Sequence, residues 1–491
     1  MSLSRKVAHN TFIQMIGKII STGLGLLSLA LITRYLGQDS FGEYTTVITY
    51  LTIFAVIADF GLTLVTVQMI SGQKEPEEER KILNNLFSFR LVSIISLLLL
   101  SPVFLIFLPY SAAIKLGVVI TAAYFIFPAL TQIIIGLLQK KLSMDRAALA
   151  EVLSRLVLIL GIILVWKINA GLNGILLATL ASGAASFIFH YCFARKFAAL
   201  RLAWDFSLWK EIIRRSWPLA VTVILNLIYL RADIIFLSLF KSSGEVGLYG
   251  AAYRVVDVLT TIPFMFAGLI LPILATAWLE NNQAYFHKVL QRAFDFMAIL
   301  ALPLVIGGLM LAEPVMIAVA GEEFKNSGAI LGMLIVAVSA IFLGTIFSHA
   351  VIALDKQKKL IGFYAFTSAT SLIAYLILIP RFSYFGAAAV TIYSEVMIAI
   401  FSAYCVFKYS QFSPRWKIAL KSLLASLLMA LFIKFYPARW QDGILDLMLT
   451  ITLAGSIYLL TLFLIGGLRS EDFKAIFKKS SSGQPYGSSN L

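Results

Sequence analysis

The sequence predicts an all-α polytopic membrane protein of about fourteen transmembrane helices, built as two parallel six-helix lobes plus two extra helices. Three observations predict it. Apolar runs of spanning length follow one another with short polar breaks: of 491 residues, 60% are hydrophobic and only 13% charged, and one span needs roughly 20 mostly apolar residues. Basic residues gather on every second break. The first six runs also resemble, in order, the next six.

The first lobe is assigned to residues 1–195, with spans at roughly 11–33, 44–70, 86–108, 114–138, 152–168 and 172–193. Met1 to Asn10 is short and basic, and no small-residue cleavage site follows the first apolar run. Span 1 is therefore expected to be an uncleaved anchor rather than a signal peptide. Glu75-Pro76-Glu77-Glu78-Glu79 puts proline and carboxylates at the positive end of a helix dipole and reads as the solvated start of span 3. Residues 196–215 are expected to be a cytoplasmic amphipathic linker: Trp204, Leu208 and Ile212 fall at i, i+4, i+8, with Lys210 and Arg214 elsewhere on the wheel. A plain extension of span 7 accounts for the same pattern.

The second lobe, residues 216–408, has spans at roughly 217–240, 248–278, 293–312, 329–353, 360–380 and 386–407. Residues 409–467 add two more, at roughly 419–436 and 444–466. The tail, 468–491, turns Ser/Gly-rich from Ser480 and is expected to be disordered. The repeat shows in paired stretches at a nearly constant offset. Gly42-Glu43-Tyr44 matches Gly247-Leu248-Tyr249, Asn173-Gly174 matches Phe385-Gly386, and Tyr191-Cys192 matches Tyr404-Cys405. Six spans per unit is an even number, so both lobes enter from the same side and are related by an axis along the membrane normal. Such a repeat places a binding site between the lobes, reached by rocking one against the other.

The charge pattern sets the expected topology. Arg5 and Lys6, Lys140 and Lys141, Arg195 and Lys196, Arg214 and Arg215, Lys358 and Lys359, and Lys478 and Lys479 lie at the ends or on alternate breaks. The intervening breaks hold only Arg34, Lys115, Lys167, Lys241, Lys325, Arg381 and Arg439. Lysine and arginine stay on the cytoplasmic side, so a multi-pass protein of the cell (inner or plasma) membrane with both termini in the cytoplasm is expected. The formal charge of +15 then reflects topology and attraction to membrane lipids, not nucleic acid, since no basic break is large enough for a reader domain.

Nothing in the chain suggests an enzyme, a metal site or a cofactor. His9, His190, His287 and His349 are scattered without ligand spacing, Gly-rich phosphate loops are missing, and the two cysteines, Cys192 and Cys405, sit inside spans. The informative residues are charges within the apolar runs, each costly unless paired or hydrated: Lys18, Asp59, Arg231, Asp233, Arg254, Asp257, Asp295 and Glu395. Lys18, Arg231 and Arg254 are candidates for an anionic headgroup, because ammonium and guanidinium groups suit phosphate. Asp59, Asp233, Asp257 and Glu395 are coupling or ion-pair candidates, and Lys18 is expected to find its partner in Asp59 on the next span. For Arg231, Asp233, Arg254 and Asp257 a self-compensated cluster is the alternative, with Arg254 and Asp257 spaced i, i+3. Arg155 and Lys434 lie closer to span ends and are expected to snorkel. Pro263 and Pro272 remove backbone hydrogen bonds from the long span 8 and are its candidate hinge.

Several stretches resemble the Wzx-type polysaccharide flippases. They are Thr33-Arg34-Tyr35-Leu36-Gly37 with Phe41-Gly42-Glu43-Tyr44, Ala58-Asp59-Phe60-Gly61-Leu62, Arg231-Ala232-Asp233 with Gly247 to Arg254, and Phe385-Gly386-Ala387-Ala388-Ala389. That family belongs to the multidrug/oligosaccharidyl-lipid/polysaccharide exporter superfamily, with the MATE exporters and the lipid II flippase MurJ. The resemblance implies a flippase that moves an undecaprenyl-diphosphate-linked oligosaccharide, such as an O-antigen, capsule or exopolysaccharide unit, between leaflets. It implies a lipid-linked oligosaccharide as substrate, with a polysaccharide polymerase complex as a candidate partner; the carboxylate Asp59 makes H+ or Na+ the candidate coupling ions. A MATE-type cation exporter, a lipid II flippase and, from another class, a membrane glycosyltransferase or polymerase remain as alternatives.

Overall fold

The computed structural model describes residues 3–71, 75–436 and 443–467; the tail expected to be disordered lies outside the described residues. The first helices are α1 (Leu3–Asp59), α2 (Leu62–Ser71), α3 (Pro76–Ile106), α4 (Ala112–Lys140), α5 (Met144–Ile168) and α6 (Gly171–Ala194). They are followed by α7 (Phe206–Phe240), α8 (Ser243–Leu279), α9 (Gln283–Ala320), α10 (Ser327–Ala353) and α11 (Gln357–Ser410). The last two are α12 (Lys417–Phe435) and α13 (Ile444–Leu464).

Eleven of these helices, among the described residues, are long and apolar enough to cross a bilayer. Two of them are composite. The path of α1 breaks at Gly37, whose φ of 68° suits glycine, and that of α11 breaks at Ser383 (φ 52°). At Ser383 the chain doubles back. Thr370 bonds Tyr393 at 2.9 Å, Phe363 stacks on Phe401 with centroids 4.3 Å apart, and Gly386 packs against the Leu378 carbonyl. Only glycine fits at that last contact, which explains why Phe385-Gly386-Ala387 opens the returning helix.

Packing divides the helices into two lobes. Against α1 lie α3, α4, α5 and α6, and α1 also runs along α8 of the other lobe; α10 is the hub of the second group, touching α8, α9 and α11, while α7 lies along α11. The pair α12 and α13 packs on α9 through its own apolar cluster of Leu311, Ala425, Met429 and Tyr458.

The lobes meet where basic residues are few. Arg34, from the Thr33-Arg34-Tyr35 motif, donates to the Ala318 and Val319 carbonyls at 2.8 and 3.0 Å, and Gln38 donates to the Glu323 carbonyl. These are the orphan acceptors at and beyond the end of α9, so a cation there also meets the negative end of the helix dipole. Beside them Ser242 and Glu245 form a capping box that starts α8.

On the opposite, basic face the linker is strapped to α3. Residues 201, 203 and 205 present alternate backbone N–H groups to Asn84, Ser88 and Asn85 at 2.9, 2.8 and 2.8 Å. Asp205 bonds Lys81 at 2.9 Å and caps α7 through the Ser207 and Leu208 amides. These bonds, led by the one to Lys81, hold its carboxyl well below the usual range. Because α7 starts at Phe206, Trp204 precedes the helix; Ile212 is buried and Leu208 packs beside it.

Candidate functional site

Between the lobes lies a cavity of about 950 Å³. Gln139, Met144 and His190, close to the basic-face ends of α4, α5 and α6, line one end; Phe41 and Tyr44 line the other, beside the lobe contact. The cavity thus reaches the basic face and stops where the lobes touch.

Among the described residues three cations line it: Lys18 on α1, Arg155 on α5 and Arg254 on α8. Lys18 donates to Glu151 at 3.2 Å, and Ser21 donates to the same carboxylate oxygen at 2.8 Å. Neither arginine takes part in an ion pair or a side-chain hydrogen bond among the described residues. The two guanidinium groups line the same cavity as Tyr124, from opposite lobes. Glu151 is the sole carboxylate among the lining residues, leaving the walls with a cationic excess.

Several expected pairings are replaced. Lys18 was expected to pair with Asp59, but Asp59 bonds Arg90 on α3 and accepts from Thr63 at 2.7 Å. It stands at the break between α1 and α2, where Phe60 (φ 46°) and Gly61 (φ 76°) both adopt left-handed backbone. The Asp-Phe-Gly motif is therefore a helix stop and restart, and a coupling ion at Asp59 competing with cargo at Lys18 does not fit this geometry. Arg254 does not pair with Asp257. That carboxylate takes Arg231 at 2.9 Å, and Arg231 lies over the Tyr253 ring at 5.0 Å, so Arg231 is engaged in a pair and is not among the lining residues. Arg155, expected to snorkel, faces the cavity instead.

The other acidic candidates sit in the second lobe. Asp233 is buried and accepts from the Tyr249 hydroxyl at 2.6 Å and the Ile234 amide at 2.7 Å. Glu395 is buried with no hydrogen bond or ion pair among the described residues. Asp295 accepts from Gln291 at 2.9 Å. Pro263 and Pro272 lie inside α8, which continues through both.

Sequence reasoning missed the cavity-facing places of Arg155 and Glu151, and it missed Arg90. A signal for the first two existed: Glu151 and Arg155 are i, i+4 on α5, and Ser182, Ser186 and His190 repeat that spacing on α6, which marks a polar stripe on each helix. Arg90 lies inside the assigned span 3, near its start, where it reads as part of the span's polar opening.

A charged cavity between two helical lobes, in a chain of apolar spans, is the architecture of a multi-pass membrane protein with a polar interior site. Residues 7–278 match the family model described as polysaccharide biosynthesis protein, and the chain belongs to that family. It is 22% identical over 484 residues to a probable low-salt glycan biosynthesis flippase, Agl15, of Haloferax volcanii, covering 96% of this chain and 99% of that one. Its fold is similar to that of the lipid II flippase MurJ in an inward closed conformation, with TM-score 0.76, 17% identity, and 95% and 100% of the two chains covered. An inward-facing MATE family multidrug transporter aligns with TM-score 0.65 at 15% identity, over 87% of this chain and 100% of that one. These likenesses bear out the expected fold, a multi-pass all-helical membrane protein of the polysaccharide biosynthesis family.

Proposed function

We propose that the protein moves an undecaprenyl-diphosphate-linked oligosaccharide from the cytoplasmic to the outer leaflet of the cell membrane. The observation that carries the reading is the pair Arg155 and Arg254, free of carboxylates, on opposite walls of one cavity. An unpaired guanidinium in a low-dielectric site calls for an anion, and its planar fork matches phosphate oxygens. Three cations against Glu151 leave a net charge of two, which suits a diphosphate carrying one charge on each phosphoryl group. Lys18, loosely held by Glu151, is a third ligand once cargo competes for it. An oligosaccharide fits the remaining space while the lipid tail stays in the bilayer. The relative named a glycan biosynthesis flippase, which aligns along nearly the whole of both chains, supports the same cargo class.

A cation exporter would need carboxylates facing its cargo, and here Asp59, Asp233 and Asp257 are each engaged elsewhere. In this reading residues 1–195 and 216–408 rock against each other, joined by 196–215, with 409–467 packed outside, and α8 bends at Pro263 and Pro272. The basic face is cytoplasmic, so the described conformation is open inward. Outward movement of the anionic headgroup is favoured by an inside-negative potential, about 2.3 kcal/mol per charge per 100 mV.

The test is flipping of a fluorescent undecaprenyl-diphosphate saccharide by the whole protein in liposomes. Arg155→Ala and Arg254→Ala should each slow it about tenfold or more, with lysine restoring only part. Wild-type rates in both alanine variants would sink the assignment.

A further inference from the structure

Among the described residues, the polar groups of the cavity are unevenly shared between its walls. We propose that the saccharide is held by a stripe of amides and hydroxyls from α1, α4 and α6 of the first lobe, while α8 of the second lobe supplies Arg254 for the headgroup. This inference rests on the function proposed above and specifies its cargo further: an uncharged, hydroxyl-rich saccharide next to the diphosphate.

Three amides line the first lobe's wall, Gln14 on α1 and Gln132 and Gln139 on α4. The two on α4 are seven residues apart and so share a face. None of the three has a hydrogen-bond partner among the described residues. Each amide offers two donors and a two-lone-pair acceptor, the combination that reads neighbouring sugar hydroxyls without demanding a charge. On α6, Ser182 and Ser186 add hydroxyls at i, i+4, and His190 follows. The His190 Nδ1 lies 2.8 Å from the Ser186 carbonyl, which only accepts. A proton therefore sits on Nδ1, and Nε2 is left to accept from a sugar hydroxyl whenever the ring is neutral.

The facing wall is different in kind. Apart from Arg254, α8 lines the cavity with Phe264, Met265, Gly268 and Leu269. Such a surface excludes water but cannot bond a hydroxyl. The glycan then travels with the first lobe, and the second lobe swings past it.

The experiment measures binding of two probes to the reconstituted full-length protein: undecaprenyl diphosphate, and the same lipid carrying one N-acetylhexosamine. The wild type should hold the sugar-bearing lipid more tightly. Gln132→Leu and Gln139→Leu should each reduce that advantage about fivefold while leaving bare undecaprenyl diphosphate unchanged. Phe264→Ala and Met265→Ala should leave the advantage intact. Equal binding of the two probes by the wild type, equal weakening of both by the glutamine variants, or loss of the advantage in the α8 variants overturns the inference while the functional reading stands. If neither lipid binds the wild type, the functional reading itself fails and takes this inference with it.

Discussion

Gly42 and Gly247, equivalent positions of the internal repeat, meet backbone to backbone across the two lobes. A methyl on Gly42 would lie 3.0 Å from the Gly247 nitrogen and closer still to the Ser243 carbonyl; one on Gly247 would lie 3.1 Å from the Gly42 nitrogen and nearer the Gln38 carbonyl. Gly250 continues the contact one turn further on, against Thr45. A parallel repeat brings its equivalent residues together on the axis relating the halves, so both glycines answer to the same constraint. The absence of side chains is what closes the cavity at this end.

Gly42→Ala and Gly247→Ala should therefore push the lobes apart where they now touch. Overpacking costs about 1–3 kcal/mol, which moves a two-state equilibrium roughly tenfold or more toward the other conformation. Cysteines placed at Ser28 and Tyr44, both lining the closed part of the cavity, should react faster with an impermeant thiol reagent from the side opposite the basic face. Unchanged labelling in both alanine variants would show that the contact does not control access.

The Asp59–Arg90 pair makes a separate prediction, about stability. The Arg90 side chain is only 4% exposed, and its Nε and Nη1 have no hydrogen-bond partner among the described residues. Removing the carboxylate strands a buried cation, typically a loss of about 3–5 kcal/mol. Asp59→Asn should thus lower the thermal stability of the purified protein, and Arg90→Met with Asp59→Leu should recover much of it. Any folded Asp59→Asn protein should show the same dependence on proton and sodium gradients as wild type. A lost gradient dependence would return Asp59 to the coupling role its position in the sequence suggested.

What could be read beforehand divides along a physical line. The spans, the repeat and the breaks follow from hydropathy and composition, which act residue by residue. Lys18 and Arg254 were visible for the same reason, being charges in apolar runs. Which charge faces which is set by helix rotation and by packing between helices far apart in sequence. Lys18 reaches Glu151 across 133 positions, and Asp59 reaches Arg90 on the helix beyond the break. Arg231 and Arg254 looked interchangeable as headgroup ligands. They differ because Arg231 on α7 faces Asp257 and Tyr253 on the neighbouring α8, while Arg254 faces the cavity.

The strap on the basic face carries a pH dependence. Asp205 holds Lys81 and caps α7, and its carboxyl titrates below the ordinary value. A depressed carboxylate contributes stability that is fully present above the unfolded value, about 3.9, and is lost as pH falls through the folded one. The linker amides of residues 201, 203 and 205 should stay protected from hydrogen exchange at neutral pH and lose protection only in strong acid. Asp205→Asn should keep part of the cap but lose the ion pair, and Asn85→Ala should free the amide of residue 205 at every pH. Equal exchange in wild type and Asn85→Ala would mean that the strap is not closed in solution.

The last prediction concerns Glu151, the carboxylate that tempers the cationic walls. It holds Lys18 at 3.2 Å, with the two side chains 42% and 36% exposed. So exposed a pair is worth about 0–1 kcal/mol in itself, and Glu151→Gln should barely alter folding. Its effect on an anionic headgroup is larger, because the substitution both frees Lys18 and adds a net positive charge to the cavity. Even at an effective dielectric of about 20, one charge several ångströms away contributes on the order of 1 kcal/mol after screening. Binding of undecaprenyl diphosphate should therefore tighten about fivefold, with a steeper salt dependence. Tighter binding of the cargo in the loaded state does not help it leave, so turnover should fall where release limits the cycle. Lys18→Ala should do the reverse, weakening binding, and the double variant Lys18→Ala/Glu151→Gln should return near wild-type affinity because the net charge is restored. Flipping rates and lipid affinities in liposomes at two ionic strengths check each arm. An unchanged affinity in Glu151→Gln would show that the headgroup does not sit within reach of Lys18.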